Sequence, residues 1–300
     1  MDALPRRVLV VGPGLLGTSL ALGLKTRGYS GQITGISRRQ TTLELARVTG
    51  GYDRLTLDLA EAVGGDGSLL VVLAVPLGSM RAVMSQLAEH LPAGAVAVPG
   101  EVVLTDVGST KASVQADAEA AFADVAGGPG ASRFVGSHPM AGSEHQGPEH
   151  GDAHLFKGKP CIVCPSDQAD ADAVEVVEQL WDVLGMRRVR MTPQQHDADA
   201  ATISHLPHAL AAALMHTAAE RGGLQIASTG FAGATRLASS NPPMRADIMR
   251  ANRPALKQAL AAMRAQLDEL EQHLTADQPG PLLDWLELAK SSRRAWQAGQ

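Results

Sequence analysis

From Arg7 to about Val107 the chain alternates short aliphatic and β-branched runs with longer amphipathic stretches. The runs are Val8–Val11, Ile33–Ile36, Leu69–Val75 and Val102–Asp106, with helical patterns between them. Strands separated by helix-length segments cannot pair as tight hairpins, so this alternation predicts a parallel sheet with helices on both faces. Further strands are predicted at Arg133–Gly136, around Cys161 and at Arg187–Met191, with a helix from about Gln168 to Leu184 before the last. After Thr192-Pro193 the strand pattern stops. Leu256, Leu260, Met263, Leu267, Leu270 and Leu274 then recur at spacings of four and three, drawing one helical stripe that leaves Lys257, Arg264, Asp268 and Glu271 off it. The expected fold class is an α/β, Rossmann-like, doubly wound domain over residues 1–192, followed by an all-α domain over residues 193–300. The stripe serves either that domain's own bundle or a dimer seam. With the helical segment running to Gln300, no separate regulatory domain is expected.

Composition narrows the function classes. The 300 residues carry 26 Lys plus Arg against 31 Asp plus Glu, a net charge of -5, without long runs of either sign. This argues against a nucleic-acid partner. An apolar content of 45% is enough for a sizeable core and excludes a disordered or fibrous chain. The uncharged stretch Val8 to Leu24 is interrupted by four glycines and Pro13, which suits a turn better than a bilayer or an export signal. A cytoplasmic protein without a membrane partner is expected. Cys161 and Cys164 form a Cys-x-x-Cys, but on a strand an offset of three sends the two thiols to opposite faces. There is also no second such pair, so they read as structural.

The glycines have a specific reading. Gly12-Pro-Gly-Leu-Leu-Gly17 follows the strand Val8–Val11 and opens a helix predicted from Thr18 to about Thr26. In that context Gly12 makes a tight turn, Gly14 lets backbone approach a pyrophosphate, and Gly17 lets helix and strand pack closely, with Leu15 and Leu16 supplying helix-terminal N–H groups. The next strand runs into Ser37-Arg38-Arg39, where an NAD-binding chain normally carries an acid. A hydroxyl and two guanidinium groups form a phosphate-binding set, so NADP is the expected cofactor, with NAD as the alternative.

Three further segments concentrate polar residues: Thr105-Asp-Val-Gly-Ser-Thr-Lys111 after a strand, Gly136-Ser-His-Pro-Met-Ala-Gly142 at another strand end, and His196-Asp197 followed by Ser204-His-Leu-Pro-His208. Glycines on both sides of His138 allow a tight loop that presents its ring to a cleft. His205 and His208 are equally suited to cap or pack against neighbouring helix ends.

Together with Phe156-Lys-Gly-Lys159, these motifs resemble the prephenate and arogenate dehydrogenases of tyrosine biosynthesis, and the resemblance covers nearly the whole chain. It implies a helical homodimerisation domain and oxidative decarboxylation of a small cyclohexadienyl substrate between the domains. It also implies that His138 contacts the substrate hydroxyl, that Ser109 orients His138 near the nicotinamide, and that Ser204 and His208 line the pocket. Thr235-Arg-Leu-Ala238 before Asn241-Pro242 matches the family's carboxylate-holding arginine at Arg236. The match departs at Met244-Arg245, where many relatives carry an aromatic in place of Arg245.

The chemistry agrees with these residue types. Hydride loss from a hydroxyl-bearing carbon is eased by a neutral histidine that accepts the hydroxyl proton, and a dianionic substrate calls for a guanidinium. Three other readings carry less support. A Rossmann β-hydroxyacid dehydrogenase needs a lysine base in the helical domain, where only Lys257 and Lys290 occur, both on solvated faces. A metal-binding loop could use His138, His145, His150 and His154 with Glu144 and Asp152, but lacks a helical His-Glu-x-x-His arrangement. A non-catalytic NADP sensor would leave His138, Ser109 and Arg236 without a purpose.

Overall fold

A computed structural model describes residues 4–91, 102–123, 130–143, 145–275 and 279–299. The first half is strand and helix in strict alternation: β1 (Arg7–Val11), α1 (Leu15–Thr26), β2 (Gln32–Ile36), α2 (Gln40–Arg47), β3 (Arg54–Thr56), α3 (Leu59–Val63), β4 (Leu69–Leu73), α4 (Leu77–His90), β5 (Val102–Asp106) and α5 (Ala112–Phe122). Then come β6 (Phe134–Pro139), β7 (Pro160–Cys164), α6 (Ala171–Val183) and β8 (Arg187–Arg190). The eight strands form one sheet in the order β3-β2-β1-β4-β5-β6-β7-β8.

Strands β1 to β6 are parallel to one another, and the chain winds outward from β1 to β3 before returning to β4 on the other side of β1. The carboxyl ends of β1 and β4 therefore flank a topological switch point, the usual ligand crevice of this architecture. Side-chain alternation sorts the apolar residues into two layers. Val8 and Val10 of β1 join Leu20, Leu24, Leu70, Val72 and Trp181 on one face, while Leu9 and Val11 join Val71, Leu73, Met80, Met84 and Phe122 on the other. All five residues of β4 are buried, as expected of a central parallel strand covered on both faces.

Three details depart from the sequence pattern. β3 is only three residues long and was not anticipated. β4 stops at Leu73 because Ala74 and Val75 turn against the glycine loop, where Ala74 N donates to Val11 O. β7 runs antiparallel to β6, with His138 opposite Ile162 and Pro139 opposite Cys161. Apolar alternation encodes which face is buried and carries no information about strand direction.

Both thiols are buried and free, and burial pushes the Cys164 thiol up to about 12, so neither is a nucleophile. β8 is an edge strand whose residues are all exposed. Arg188 and Arg190 pair with Glu178 of α6, and this charged edge resists pairing with another chain.

Beyond β8 the described chain is helical, with α7 (Pro193–Ala200), α8 (Leu206–Arg221), α9 (Thr229–Thr235), α10 (Pro242–Ala251), α11 (Arg253–Thr275) and α12 (Gly280–Ala298). The chain divides into two compact units, Met1–Asn252 and Arg253–Gln300. The first unit thus holds the sheet with α7 to α10, and the second is an α11–α12 pair. No described helix is long and apolar enough to cross a membrane.

Candidate active site

The glycine turn connects β1 to α1 at the carboxyl edge of the sheet. Gly12 has φ of 95°, and a Cβ there would lie 2.6 Å from Ala74 O, so no other residue fits without moving backbone. At Gly17 a Cβ would meet Gly12 O at 2.5 Å. At Gly14 nothing lies within 4 Å of where a Cβ would stand. Close packing thus explains the outer two glycines, while the middle one leaves open space beside the start of α1. That helix begins at Leu15, earlier than its pattern suggests, with Gly14 as its cap, no side-chain cap bond and no acidic residue in its first turn. The N–H groups of Leu15, Leu16 and Gly17 precede the first intrahelical donor, Thr18 N, which bonds Gly14 O. Open space, free donors and a positive dipole end fit a pyrophosphate.

Ser37, Arg38 and Arg39 form the turn between β2 and α2. Ser37 Oγ accepts from Arg39 N at 3.2 Å, and both arginines are exposed. Asp53, an acid near this strand, is engaged by Lys25 and by Ile33 N (2.8 Å).

At the ends of β5 and β6 a second group of side chains meets. Asp106 closes β5, its Oδ2 pairing with Lys111 Nζ and accepting from Gly108 N, while its Oδ1 accepts from Ser137 N (3.1 Å). Lys111 Nζ also donates to Ser137 O (2.7 Å). This fully buried ion pair fixes the loop after β5 against the end of β6, next to His138.

His138 is buried and its Nδ1 lies 2.8 Å from His196 Nε2, while His196 Nδ1 lies 2.8 Å from Asp197 Oδ1. Asp197 also accepts from Lys111 N (2.7 Å) and Ala112 N (3.0 Å). Burial raises the Asp197 carboxyl, but the bonds from His196 and these two amides outweigh it and hold Asp197 below the ordinary range. An ionised carboxylate only accepts, so His196 Nδ1 carries a proton. His196 Nε2 faces His138 Nδ1 across this contact, and no hydrogen bond to His138 Nε2 is found among the described residues. Burial first, then its neighbours His196, Lys111 and His205, hold His138 well below the usual imidazole range. His138 is therefore a buried imidazole that resists protonation and is held in place by a histidine backed by an aspartate.

His196 and Asp197 sit on α7, which Thr192 caps by accepting from Gln195 N, with Pro193 in its first turn. Helix α7 continues into α8 through a π-helical turn, Ala201–His205. Pro207 cannot donate to the carbonyl four residues back, and its ring crowds that carbonyl, which accounts for the local widening. The half-buried Ser204 lies in this turn, with buried His205 after it. His205 Nδ1 lies 3.1 Å from Asn252 Nδ2, which also donates to Asp197 O (2.7 Å). Burial lowers His205 to about 4. His208 is one turn further, its Nδ1 donating to Leu237 O (3.2 Å) beside Ser240 Oγ (3.2 Å). This bond anchors the exposed turn that carries Arg236. Burial lowers His208, and the charges of Arg245 and Arg236 add to the effect.

Hydrogen bonds thus join His138 to His196 and Asp197 and, through Asn252, reach His205, whereas His208 bonds Leu237 and Ser240 beside the exposed turn of Arg236, and no hydrogen bond among the described residues joins that group to His138. Ser109 is half-buried in the loop between β5 and α5, and among the described residues the side-chain hydrogen bond to His138 comes from His196. The relay pair His196 and Asp197, the Asp106–Lys111 pair and Asn252 had no assigned role in the sequence reading. The adjacent His-Asp directly after the capped Thr-Pro start of α7 was the available signal.

The metal-loop alternative finds no cluster. Among the described residues no group of three or more His, Cys, Asp or Glu is placed to hold an ion, and Glu144 lies outside them. Lys257 is exposed and Lys290 pairs with Glu287, so neither matches a hydroxyacid dehydrogenase base.

The sequence matches the family models described as prephenate dehydrogenase, nucleotide-binding domain, over residues 20–190, and prephenate dehydrogenase, dimerization domain, over residues 192–288. It is 31% identical over 296 residues to a cyclohexadienyl dehydrogenase of Zymomonas mobilis, covering 97% of this chain and 94% of that protein. Its structure is similar to that of prephenate dehydrogenase from Aquifex aeolicus in complex with hydroxyphenyl propionate and NAD+, with a TM-score of 0.86, 28% identity and coverage of 96% and 97% of the two chains. It is also similar to Synechocystis arogenate dehydrogenase, with a TM-score of 0.80, 28% identity and coverage of 97% and 99%. The family models along both halves and the likeness to these relatives converge on one assignment: the chain belongs to the prephenate dehydrogenase family.

Proposed function

We propose that His138 is the base, Arg236 a carboxylate holder and Ser204 and His208 pocket residues in a cytoplasmic, NADP-preferring prephenate or arogenate dehydrogenase. The dehydrogenase function itself follows from membership of the family, and the cofactor is a nicotinamide dinucleotide. A bound nicotinamide ring supplies the hydride acceptor. His138 Nε2 takes the hydroxyl proton as the carbon bearing it loses hydride, so positive charge on the substrate is relieved in the transition state. Loss of the ring carboxylate as carbon dioxide then gives an aromatic ring, and the protein's task is to align the substrate and keep water out. His196 and Asp197 fix the tautomer of His138 and disperse the charge it acquires. Ser109, half-buried in the loop between β5 and α5, is assigned to orienting His138 near the nicotinamide.

The single observation that carries this reading is the hydrogen-bonded chain from Asp197 through His196 to the buried ring of His138. NADP is favoured by the acid-free Ser37-Arg38-Arg39 turn, where the two exposed guanidinium groups suit a 2′-phosphate and a carboxylate would repel it. We assign residues 193–300 to substrate binding and homodimerisation. Leu267, Leu274, Leu283, Leu286 and Leu288 of α11 and α12 are exposed in the single chain, which favours a second copy as their cover. Initial rates with prephenate and arogenate, each with NAD and with NADP, test the activity, and sedimentation velocity tests the dimer. Absence of turnover in all four combinations would remove the reading.

A further inference from the structure

Arg245 stands in the first turn of α10, where its cation has no evident reason to be. Among the described residues it forms no ion pair, and its Nε is buried without a hydrogen-bond partner. The acid nearest in sequence, Asp247, turns elsewhere: its Oδ2 lies 2.9 Å from where a Cβ on Gly78 of α4 would stand. Taking a guanidinium partly out of water without a counter-charge is costly, so such a group marks a place where an anion arrives.

The helix shows where that place is. Arg245, Ile248 and Asn252 are spaced three and four apart and share one face of α10. Ile248 and Asn252 are both buried, and Asn252 bonds His205 and Asp197 O, so this face is turned to the α7–α8 segment that carries the histidines. Arg245 lies about two turns toward the start of α10 from Asn252 on that face, on the side of Asn241 and the turn bearing Arg236. Its charge bears on both His205 and His208 and helps to keep them unprotonated. His208 thus feels two guanidinium groups, while Asp197, the carboxylate that acts on His205, is already engaged by His196 and two backbone amides.

We propose that Arg245 is a second substrate-binding guanidinium and that it selects a keto-acid side chain over an amino-acid side chain. The inference rests on the reading of the preceding subsection. The two substrates of that reading share a ring carboxylate and a side-chain carboxylate and differ at one position. Prephenate offers a carbonyl oxygen there, which accepts from a guanidinium. Arogenate offers an ammonium group, which an unneutralised guanidinium repels and cannot hydrogen-bond. A guanidinium without an ion pair therefore matches the dianion and disfavours the ammonium-bearing monoanion.

The test uses the full-length protein with three variants, Arg245→Gln, Arg245→Lys and Arg245→Glu. The wild type should give a kcat/KM ratio of prephenate to arogenate of at least about 10. Arg245→Gln should lower that ratio at least about tenfold, Arg245→Lys should keep most of it, and Arg245→Glu should invert it, because a carboxylate then meets the ammonium. A second readout needs neither cofactor nor turnover: thermal shift with each substrate alone. Prephenate should raise the Tm of the wild type more than arogenate does at equal concentration, and the difference should vanish in Arg245→Gln. The unliganded Tm of Arg245→Gln should equal or exceed that of the wild type, since a buried charge without a partner has been removed. A wild type that prefers arogenate, or a ratio unchanged in Arg245→Gln and Arg245→Glu while turnover persists, overturns the inference and leaves the dehydrogenase reading intact. No turnover by the wild type with either substrate overturns the reading itself. A fall in unliganded Tm of several degrees in Arg245→Gln would show a structural role and also overturn the inference.

Discussion

The glycine turn and the histidine relay sit at the same edge of the sheet but are built in opposite ways. The turn is local: six consecutive residues, Gly12 to Gly17, with almost no side-chain chemistry, offer free N–H groups and open space where a Cβ is absent at Gly14. The relay draws on Asp106, Lys111, His138, His196, Asp197 and Asn252, which lie on β5, β6, α7 and the end of α10 and the loops between them. A backbone site tolerates wide variation around it so long as the glycines remain. A side-chain relay depends on each long-range bond, because buried groups left without partners lose their solvation with nothing in return.

The largest expected effect falls on the relay. His138→Asn should lower kcat by about a hundredfold or more, the usual scale for losing an acid–base group, while cofactor affinity measured by fluorescence titration is retained. Near-normal turnover would remove His138 from the mechanism. Arg236→Gln comes next, with kcat/KM lower by about 30-fold or more, equivalent to roughly 2 kcal/mol for an anion left without its partner. Asp197→Asn should cost about 10- to 100-fold in kcat, as for other carboxylates that orient a histidine from behind. The loss should be accompanied by a shift of the acidic limb of the pH–rate profile, which a purely structural defect would not produce.

On the dinucleotide side the effects are smaller and fall on binding. Neutralising Arg38 and Arg39 together should raise the KM for NADP at least about tenfold relative to that for NAD, because charge-assisted contacts to a phosphate are each worth about 1.5–3 kcal/mol. Adding Ser37→Asp should move preference further toward NAD. Equal losses with both cofactors would assign the arginines to solvent. Within the turn the glycines should separate: Gly17→Ala must displace Gly12 O and should lower Tm, whereas Gly14→Ala has open space and should fold normally but bind dinucleotide less well.

The smallest effect is on stability against pH. His138 and His205 bind protons more weakly in the folded chain than their ordinary value of 6.5, with His205 brought down to about 4. Their folded forms are neutral and cost nothing above pH 6.5. Below it the unfolded chain gains protons that the folded chain resists, so stability should fall as pH drops from about 6.5 toward 4. Chemical denaturation at stepped pH measures this, and His205→Gln should flatten the slope in that window.

The sequence by itself determined what depends on near neighbours. Hydrophobic period marked seven of the eight strands and the change to helix after Pro193, since burial of one face is written in every second or every third to fourth residue. The missed strand, β3, has three residues, too few for a period to register. The glycine turn was legible because its geometry is a property of six adjacent residues, and His138 because glycines bracket it. Only the tertiary structure decided that β7 runs antiparallel, that His196 rather than a nearer neighbour bonds His138 across 58 positions, and that Arg245 has no counter-charge among the described residues. Such facts depend on which distant groups the packed sheet and helices bring within about 3 Å, and hydrogen bonds and charge compensation at that range leave no periodic mark in the chain.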